Sequence, residues 1–288
     1  MSKTAILTDS ASDIPRDLEE KYGIDILPFQ IVVDGQSYTE RVDFTNEQYY
    51  EMLEKAKDIP KTSQVTMTRF LEKFCAYADE GYDDLIFVSI NSAGSNTYEA
   101  ACMAAAALKD ERPDASMRVH VVDSHTYSMT YGWHVCEAAR KLQSGADVPS
   151  VVQYLEDAFS RMEVMLSMYT LRFVKKSGRV SAAAAFAGEL LGLRPIINMI
   201  DDGTTTIAKV RGDNNVMPGL VEQTKKRLAP GGVYLVGGTD EGNIKMLVKL
   251  CKKEMGYAPA GTFLLGAAVA TNTGPNAVAI VFEGEKRR

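Results

Sequence analysis

Four clusters of short hydroxyl, carboxylate and amide side chains carry the chemistry this sequence has to offer. They are Thr8-Asp9-Ser10, Thr62-Ser63-Gln64, Ser92-Ala93-Gly94-Ser95-Asn96-Thr97 and Asp123-Ser124-His125. Three of them follow hydrophobic runs, Ala5-Ile6-Leu7, Leu85-Ile86-Phe87-Val88 and Val119-His120-Val121-Val122, which is the order of a strand ending on a loop. Such groups offer mainly neutral hydrogen bonds, and apart from His125, which stands next to the last cluster, no base is among them, so the pattern reads as a binding pocket. Parallel strands of one sheet would open these ends on a single side, where α/β folds place ligands.

Familiar catalytic signatures are absent: no Gly-x-Ser-x-Gly, no Walker loop, no Gly-x-Gly-x-x-Gly and no His-Glu-x-x-His. A Ser-His-Asp triad would have to use one of three histidines, and His125 beside Ser124 is the candidate, although His125 serves equally well as a cap or packing residue. Asp9 suits either a phosphoryl or metal acceptor or a group that orders the next turn. His120, His125 and His134 lack helical ligand spacing, so no metal site is expected. Cys75, Cys102, Cys136 and Cys251 are far apart and read as free thiols, without a disulfide framework. Nothing calls for a cofactor.

Two of the clusters precede helical patterns. The segment Pro60 to Thr66 reads as a loop ahead of a helix from about Thr68 to Asp79, and Ser92 to Thr97 stands ahead of an Ala-rich helix over 98–109. Unpaired N–H groups and the helix dipole favour an anion at such ends, so the two termini suit one carboxylate; helix capping alone is the alternative for Thr62 and Ser63.

Elements positioning these clusters are legible from periodicity and punctuation. Ser12-Asp13-Ile14-Pro15 opens a helix that Gly23 stops, Ile26 to Val33 with Asp34-Gly35 and Gln36 to Tyr38 reads as a hairpin, and Thr45 with Gln48 has capping-box spacing. Helices are expected at 125–143, 148–161, Thr170 to Lys176, Ser181 to Leu191, 216–228 and 242–255. A hairpin is expected over 195–210, with strands at 233–237, 262–270 and 277–282. The expected fold is α/β in two domains: a doubly wound, mostly parallel N-terminal domain over 1–160 and a smaller α+β domain over 161–288. A chain of 288 residues is comfortable for two such domains.

Apolar residues at 45% and charged ones at 24% describe a globular chain with a sizeable core. A net charge of −6 without a Lys/Arg stripe, apart from Lys286-Arg287-Arg288, disfavours nucleic acid. No apolar run approaches the ~20 residues of a membrane span. No apolar leader opens the chain, and a cytoplasmic protein is expected. Met165-Leu166-Ser167-Met168-Tyr169, Leu171, Phe173, Phe186, Leu190 and Leu191 read as core, or as the lining of a tunnel for an apolar tail.

In order along the chain, the short motifs resemble the DegV family of bacterial fatty-acid-binding proteins. They are Thr8-Asp9-Ser10, Thr62-Ser63-Gln64, Ser95-Asn96-Thr97-Tyr98, Val122-Asp123-Ser124, Lys175 to Val180, Leu190 to Ile197, Lys209-Val210-Arg211 and Thr273-Gly274-Pro275. The resemblance implies two α/β domains enclosing a long acyl chain such as palmitate, with Thr62 and Ser95 at its carboxylate. It also implies a non-catalytic role as the binding subunit of a fatty acid kinase, with Arg179 and Arg211 near the carboxylate end or engaging the kinase. Four departures fall where the chemistry is. Asn272 stands where the family has His, Asn276 stands where it has Gly, Asn96 replaces the Gly of Ser-Gly-Thr, and Val65 follows Thr62-Ser63-Gln64 where the family has Pro. Asn272 can give a carboxylate one neutral hydrogen bond but carries neither charge nor proton. Another amphiphilic lipid is therefore the alternative ligand, and an acyl hydrolase using Ser124 or Ser95 the alternative class.

Overall fold

Ala5 to Asp9 are all buried, as befits a strand covered on both faces of its sheet. The computed structural model describes residues 3–174, 178–179 and 192–287. From the N-terminus the elements are β1 (Thr4–Asp9), α1 (Arg16–Tyr22), β2 (Asp25–Leu27), β3 (Gln30–Val33), β4 (Gln36–Thr39), α2 (Asn46–Lys55) and β5 (Lys61–Ser63). Then come α3 (Met67–Asp79), β6 (Asp84–Ser89), α4 (Thr97–Glu111), β7 (Arg118–Asp123), α5 (Met129–Gln143), α6 (Val148–Phe159) and β8 (Met162–Met168). The chain continues with β9 (Leu193–Ile200), β10 (Gly203–Arg211), α7 (Val216–Lys225), β11 (Tyr234–Gly238), α8 (Glu241–Met255), β12 (Gly261–Leu264), α9 (Ala267–Thr273) and β13 (Ala277–Glu283). The helices expected at Thr170 to Lys176 and Ser181 to Leu191, with Phe186, Leu190 and Leu191, fall mostly outside the described residues.

Two units divide the chain: Met1–Gln30 with Ser63–Phe159, and Ile31–Thr62 with Ser160–Arg288. A single cut near residue 160 does not describe this division, because residues 31–62 group with the second unit and make it the larger one. Pro28 marks the first departure. It has no N–H to give a ladder, and the strand expected over Ile26 to Val33 is two: β2 pairs in parallel with β1, whereas β3 joins β4 and β5 in a separate sheet. Asp34 and Gly35 turn β3 into β4 with φ of 47° and 86°, the positive pair that a tight hairpin requires.

In the first unit the sheet order is β2-β1-β6-β7 and every pairing is parallel. That is doubly wound topology with its switch point between β1 and β6. Gly23, at φ 61°, ends α1 as expected, while α1 itself starts at Arg16 without a side-chain cap. α5 starts at Met129 and not near 125, since His125 (φ 54°) and Ser128 (φ 60°) take left-handed backbone that breaks a helix. Gly132 in α5 stands against the Ser12 carbonyl oxygen, where a Cβ would come within 2.3 Å. Farther along α5, the His134 ring packs edge-on against Tyr154 and Phe159 of α6, and its Nδ1 lies 2.8 Å from the Tyr154 hydroxyl. His134 Nε2 is enclosed without a hydrogen-bond partner, and burial pushes the imidazole down to about 4.

The second unit holds the six-stranded sheet β10-β9-β8-β13-β11-β12, antiparallel except for the β11–β12 pair. β8, buried along its whole length, is an interior strand that periodicity did not reveal. Met165 of β8 packs with Ile196, Val236 and Ile280 beneath Leu220 of α7 and Leu247 of α8, and Tyr169 packs against the same core. Core packing thus accounts for those two residues, which had also read as tunnel lining. Glu163, also on β8 and 3% exposed, accepts hydrogen bonds from Arg227 Nε at 2.6 Å and Asn198 Nδ2 at 3.1 Å, with Arg287 Nη1 at 3.8 Å. The strand expected over 262–270 ends at Leu264, and the alanine-rich stretch after Gly266 is helix α9. A further core of Ile31, Val33, Phe44, Tyr49, Tyr50 and Leu53 packs with Ala267 and Ala270 of α9.

Candidate functional site

At the switch point of the first unit the polar groups are engaged in ordering backbone. The Asp9 carboxylate, fully buried, accepts hydrogen bonds from Ala11 N (3.1 Å), Ile90 N (2.8 Å) and the Tyr131 hydroxyl (2.7 Å), so it ties together the ends of β1, β6 and α5. Thr8 donates to the Val88 carbonyl at 2.7 Å, and Ser10 Oγ accepts from Phe29 N at 2.9 Å. Of the two roles open to Asp9, ordering the loop is the one its contacts perform.

Asp123 does the same at the end of β7, its Oδ1 accepting from Ser92 N at 3.2 Å and His125 N at 2.9 Å. The buried Ser124 hydroxyl donates to the Thr126 carbonyl at 3.2 Å and accepts from Thr126 N at 3.3 Å. The His125 ring is turned to Asp123, with Nδ1 3.6 Å from Oδ2. Ser124 thus closes a local turn, an arrangement unlike that of an activated nucleophile.

Ser95 is presented differently. Gly94 N and Ser95 N both donate to the Asn91 carbonyl, at 3.1 and 3.2 Å, which curls the loop ahead of α4. A Cβ on Gly94 would lie 2.5 Å from the Tyr127 hydroxyl, so a larger residue there would have to displace that side chain. Ser95 Oγ accepts from Thr97 N at 3.3 Å and lies 2.8 Å from Thr97 Oγ1. Either hydroxyl of this pair can be the donor, and Ser95 itself is half-buried while Thr97 is fully buried.

Thr62 stands in the second unit, on β5 and not on a loop as expected: the strand adds to β3 and leaves Thr62 half-buried between exposed Lys61 and Ser63. Asn272 lies on α9, where its Nδ2 donates to the Ala268 carbonyl at 2.8 Å and keeps one further N–H and its carbonyl oxygen. Ala268 N in turn donates at 2.8 Å to Glu40 Oε1, a carboxylate that is 1% exposed. Tyr50 donates to the Leu265 carbonyl just ahead of α9. Because Thr271 gives its proton to Ala267 O at 2.7 Å, the Tyr49 hydroxyl is the donor to Thr271 Oγ1. Burial, with Glu40 nearby, pushes the Tyr49 hydroxyl well up, so it keeps that proton. No sequence signal pointed to Glu40, which acts across 228 positions.

Of the two arginines, Arg211 ends β10, exposed, with its carbonyl accepting from Asn215 Nδ2 at 2.7 Å. Arg179 is exposed, and most of its Lys175 to Val180 motif falls outside the described residues. Among the described residues no group of three or more His, Cys, Asp or Glu side chains is arranged to hold a metal ion, and no helix is long and apolar enough to cross a membrane. Cys136 and Cys251 are buried and their thiols pushed up to about 12, while Cys75 and Cys102 are half-buried and likewise free.

A parallel, doubly wound unit and a second unit on a mixed sheet, each with hydroxyl or amide groups at its element ends, define a two-unit α/β protein. Residues 3–285 match the family model described as "Uncharacterised protein, DegV family", and the chain belongs to the DegV family. A DegV domain-containing protein of Clostridium perfringens is 30% identical over 284 residues, covering 97% of this chain and 98% of that one. A Thermotoga maritima protein named as a fatty acid-binding protein is 27% identical over 293 residues, 99% of each chain. A solved Thermotoga maritima structure, described as revealing fatty acid binding function, superposes with a TM-score of 0.82 at 25% identity, covering 99% of this chain and all of that one. A stearic acid-binding protein of Eubacterium ventriosum reaches 0.87 at 22% identity over 99% and 98% of the chains, a likeness of fold.

Proposed function

We propose that this protein binds a long-chain fatty acid such as palmitate and presents the carboxylate to a separate fatty acid kinase, without catalysing a reaction itself. The observation that carries the reading is end-to-end similarity, at 27% identity over 99% of both chains, to the Thermotoga maritima protein named for fatty acid binding. In this reading Thr62, Ser95 and Asn272 supply neutral hydrogen bonds to the carboxylate, with Ser95 giving its proton to the ligand and Thr97 giving its own to Ser95 Oγ. Arg179 and Arg211 engage the kinase. Handing an acid to an ATP-dependent partner belongs in the cytoplasm, and the binding step requires neither metal nor cofactor. The engagement of Ser124 in its own turn favours binding over acyl hydrolysis.

Each buried methylene contributes about 0.8 kcal/mol and a neutral head-group bond about 1 kcal/mol, so the tail dominates affinity and the head group sets selectivity. Mass spectrometry of the purified protein, native and then after solvent extraction, tests the reading. A stoichiometric C16–C18 fatty acid is the expected cargo, and an empty protein that also fails to take up palmitate would refute it. Thr62→Ala and Ser95→Ala should each weaken palmitate binding by about fivefold. A second reading, a neutral amphiphile, is favoured by the uncharged amide of Asn272, and equal affinity for palmitate and hexadecanol would select it.

A further inference from the structure

Glu40 is a buried carboxylate with a defined target. It follows β4 in a turn where Asp43 accepts the Thr39 N–H, the Thr39 carbonyl accepts Val42 N at 3.2 Å and Asp43 N at 3.0 Å, and Arg41 takes φ 66°. That turn aims the side chain at Ala268 N in the first turn of α9. Ala268 is also the residue whose carbonyl receives Asn272 Nδ2. One residue therefore links the buried carboxylate to the amide, with a hydrogen bond on each side. Two neighbouring polar contacts, from Tyr50 to Leu265 O just ahead of α9 and from Tyr49 to Thr271 within it, hold the segment on either side of Ala268.

Resting on the fatty-acid reading, we propose that Glu40, assisted by Tyr50, is a positioning residue for the head group: it fixes the placement of α9 and thereby the direction in which Asn272 offers its remaining N–H. The carboxyl group that accepts from the first turn of α9 comes from 228 positions away, and seven-residue α9 has little register of its own to resist sliding. A carboxylate acceptor makes the stronger, shorter bond that holds such a helix. Glutamine keeps the reach and an acceptor oxygen, whereas alanine removes both.

The test is the ratio of palmitate to hexadecanol affinity, measured by displacement of a fluorescent fatty acid from the full chain. The wild-type chain should prefer palmitate, Glu40→Ala should reduce that preference by about tenfold with alcohol affinity unchanged within about twofold, and Glu40→Gln should restore it. Glu40→Ala added to Asn272→Ala should cause no further loss of preference, because both act on one hydrogen bond. Equal weakening of both probes, or additive losses in the double variant, would overturn the positioning role and leave fatty acid binding standing. A wild-type chain that takes up neither probe would overturn the functional reading itself. If Glu40→Ala does not fold, Tyr50→Phe removes one hydroxyl grip on α9: a reduced preference supports the proposal, and an unchanged preference in folded Tyr50→Phe overturns it.

Discussion

Acidification should loosen the first unit through one side chain, His134. The unfolded chain takes up a proton at this imidazole near the ordinary 6.5, whereas the folded chain, with Nε2 enclosed and partnerless, takes it up only at about 4. Between those values the unfolded state binds the extra proton, so stability falls as pH falls through that window and is unaffected by this group above it. Linkage between 6.5 and 4 gives a loss of about 2 kcal/mol on going from pH 7 to pH 5. The chain has one tryptophan, Trp133, beside His134 on α5, so urea unfolding followed by tryptophan fluorescence reports this unit directly. With a urea slope of about 2 kcal/mol per molar, the midpoint should move down by about 1 M. His134→Phe keeps an aromatic ring against Tyr154 and Phe159 and removes both the titration and the partnerless nitrogen. Loss of the Tyr154 hydrogen bond costs about 1 kcal/mol at pH 7, offset by removal of a buried unsatisfied atom. The phenylalanine variant should therefore match wild type near pH 7 and exceed it by about 2 kcal/mol at pH 5. Parallel pH profiles for the two proteins would refute the argument, since every other titrating group is common to both.

Three further outcomes test the structural roles assigned above. Asp9→Ala strands Ile90 N, Ala11 N and the Tyr131 hydroxyl, and should lower stability of the first unit by about 3 kcal/mol or more in the same urea assay; full stability with lost ligand binding would instead mark Asp9 as a ligand group. Glu163→Ala removes the buried carboxylate shared by half-exposed Arg227 and by Arg287, which keeps Asp201, and should cost about 1–3 kcal/mol, read as faster amide exchange along β8 and β9. Gly132→Ala puts a methyl 2.3 Å from a backbone oxygen, so a shift of α5 costing about 1–3 kcal/mol is expected in the Trp133 unfolding curve.

Local signals in the sequence carried much of the first unit. Continuous apolar runs marked β1, β6 and β7 and Gly23 marked the end of α1, while in the second unit Asp34-Gly35 and the Thr45–Gln48 capping box marked ends that the backbone confirms. β8 escaped because both its faces are buried, which removes alternation, and because methionine and leucine favour no strand. Residues after Leu264 looked like strand because short apolar runs do not separate helix from strand, and alanine content would have decided for α9. Thr62, Ser95 and Asn272 stood out by type and motif. Partners such as Thr97 were visible next door, but Glu40 and Tyr131 reach their targets from 228 and 122 positions away, where no local pattern can announce them.

The grouping of residues 31–62 with the second unit has a consequence for synthesis. Ile31, Val33, Phe44, Tyr49 and Leu53 leave the ribosome well before part of the core that covers them, Ala267 and Ala270, is made. At bacterial elongation rates of about 5–20 residues per second, that apolar hairpin and helix wait roughly 10–40 s for their cover. Over the same interval the first unit can gather β1, β2 and β6 around the gap, since closing a loop of that length is a modest entropic cost. Nascent chains stalled before β12 should thus expose a sticky segment to chaperones while β7 and α5 are already in place, and cutting the gene at residue 160 would separate that segment from its core for good.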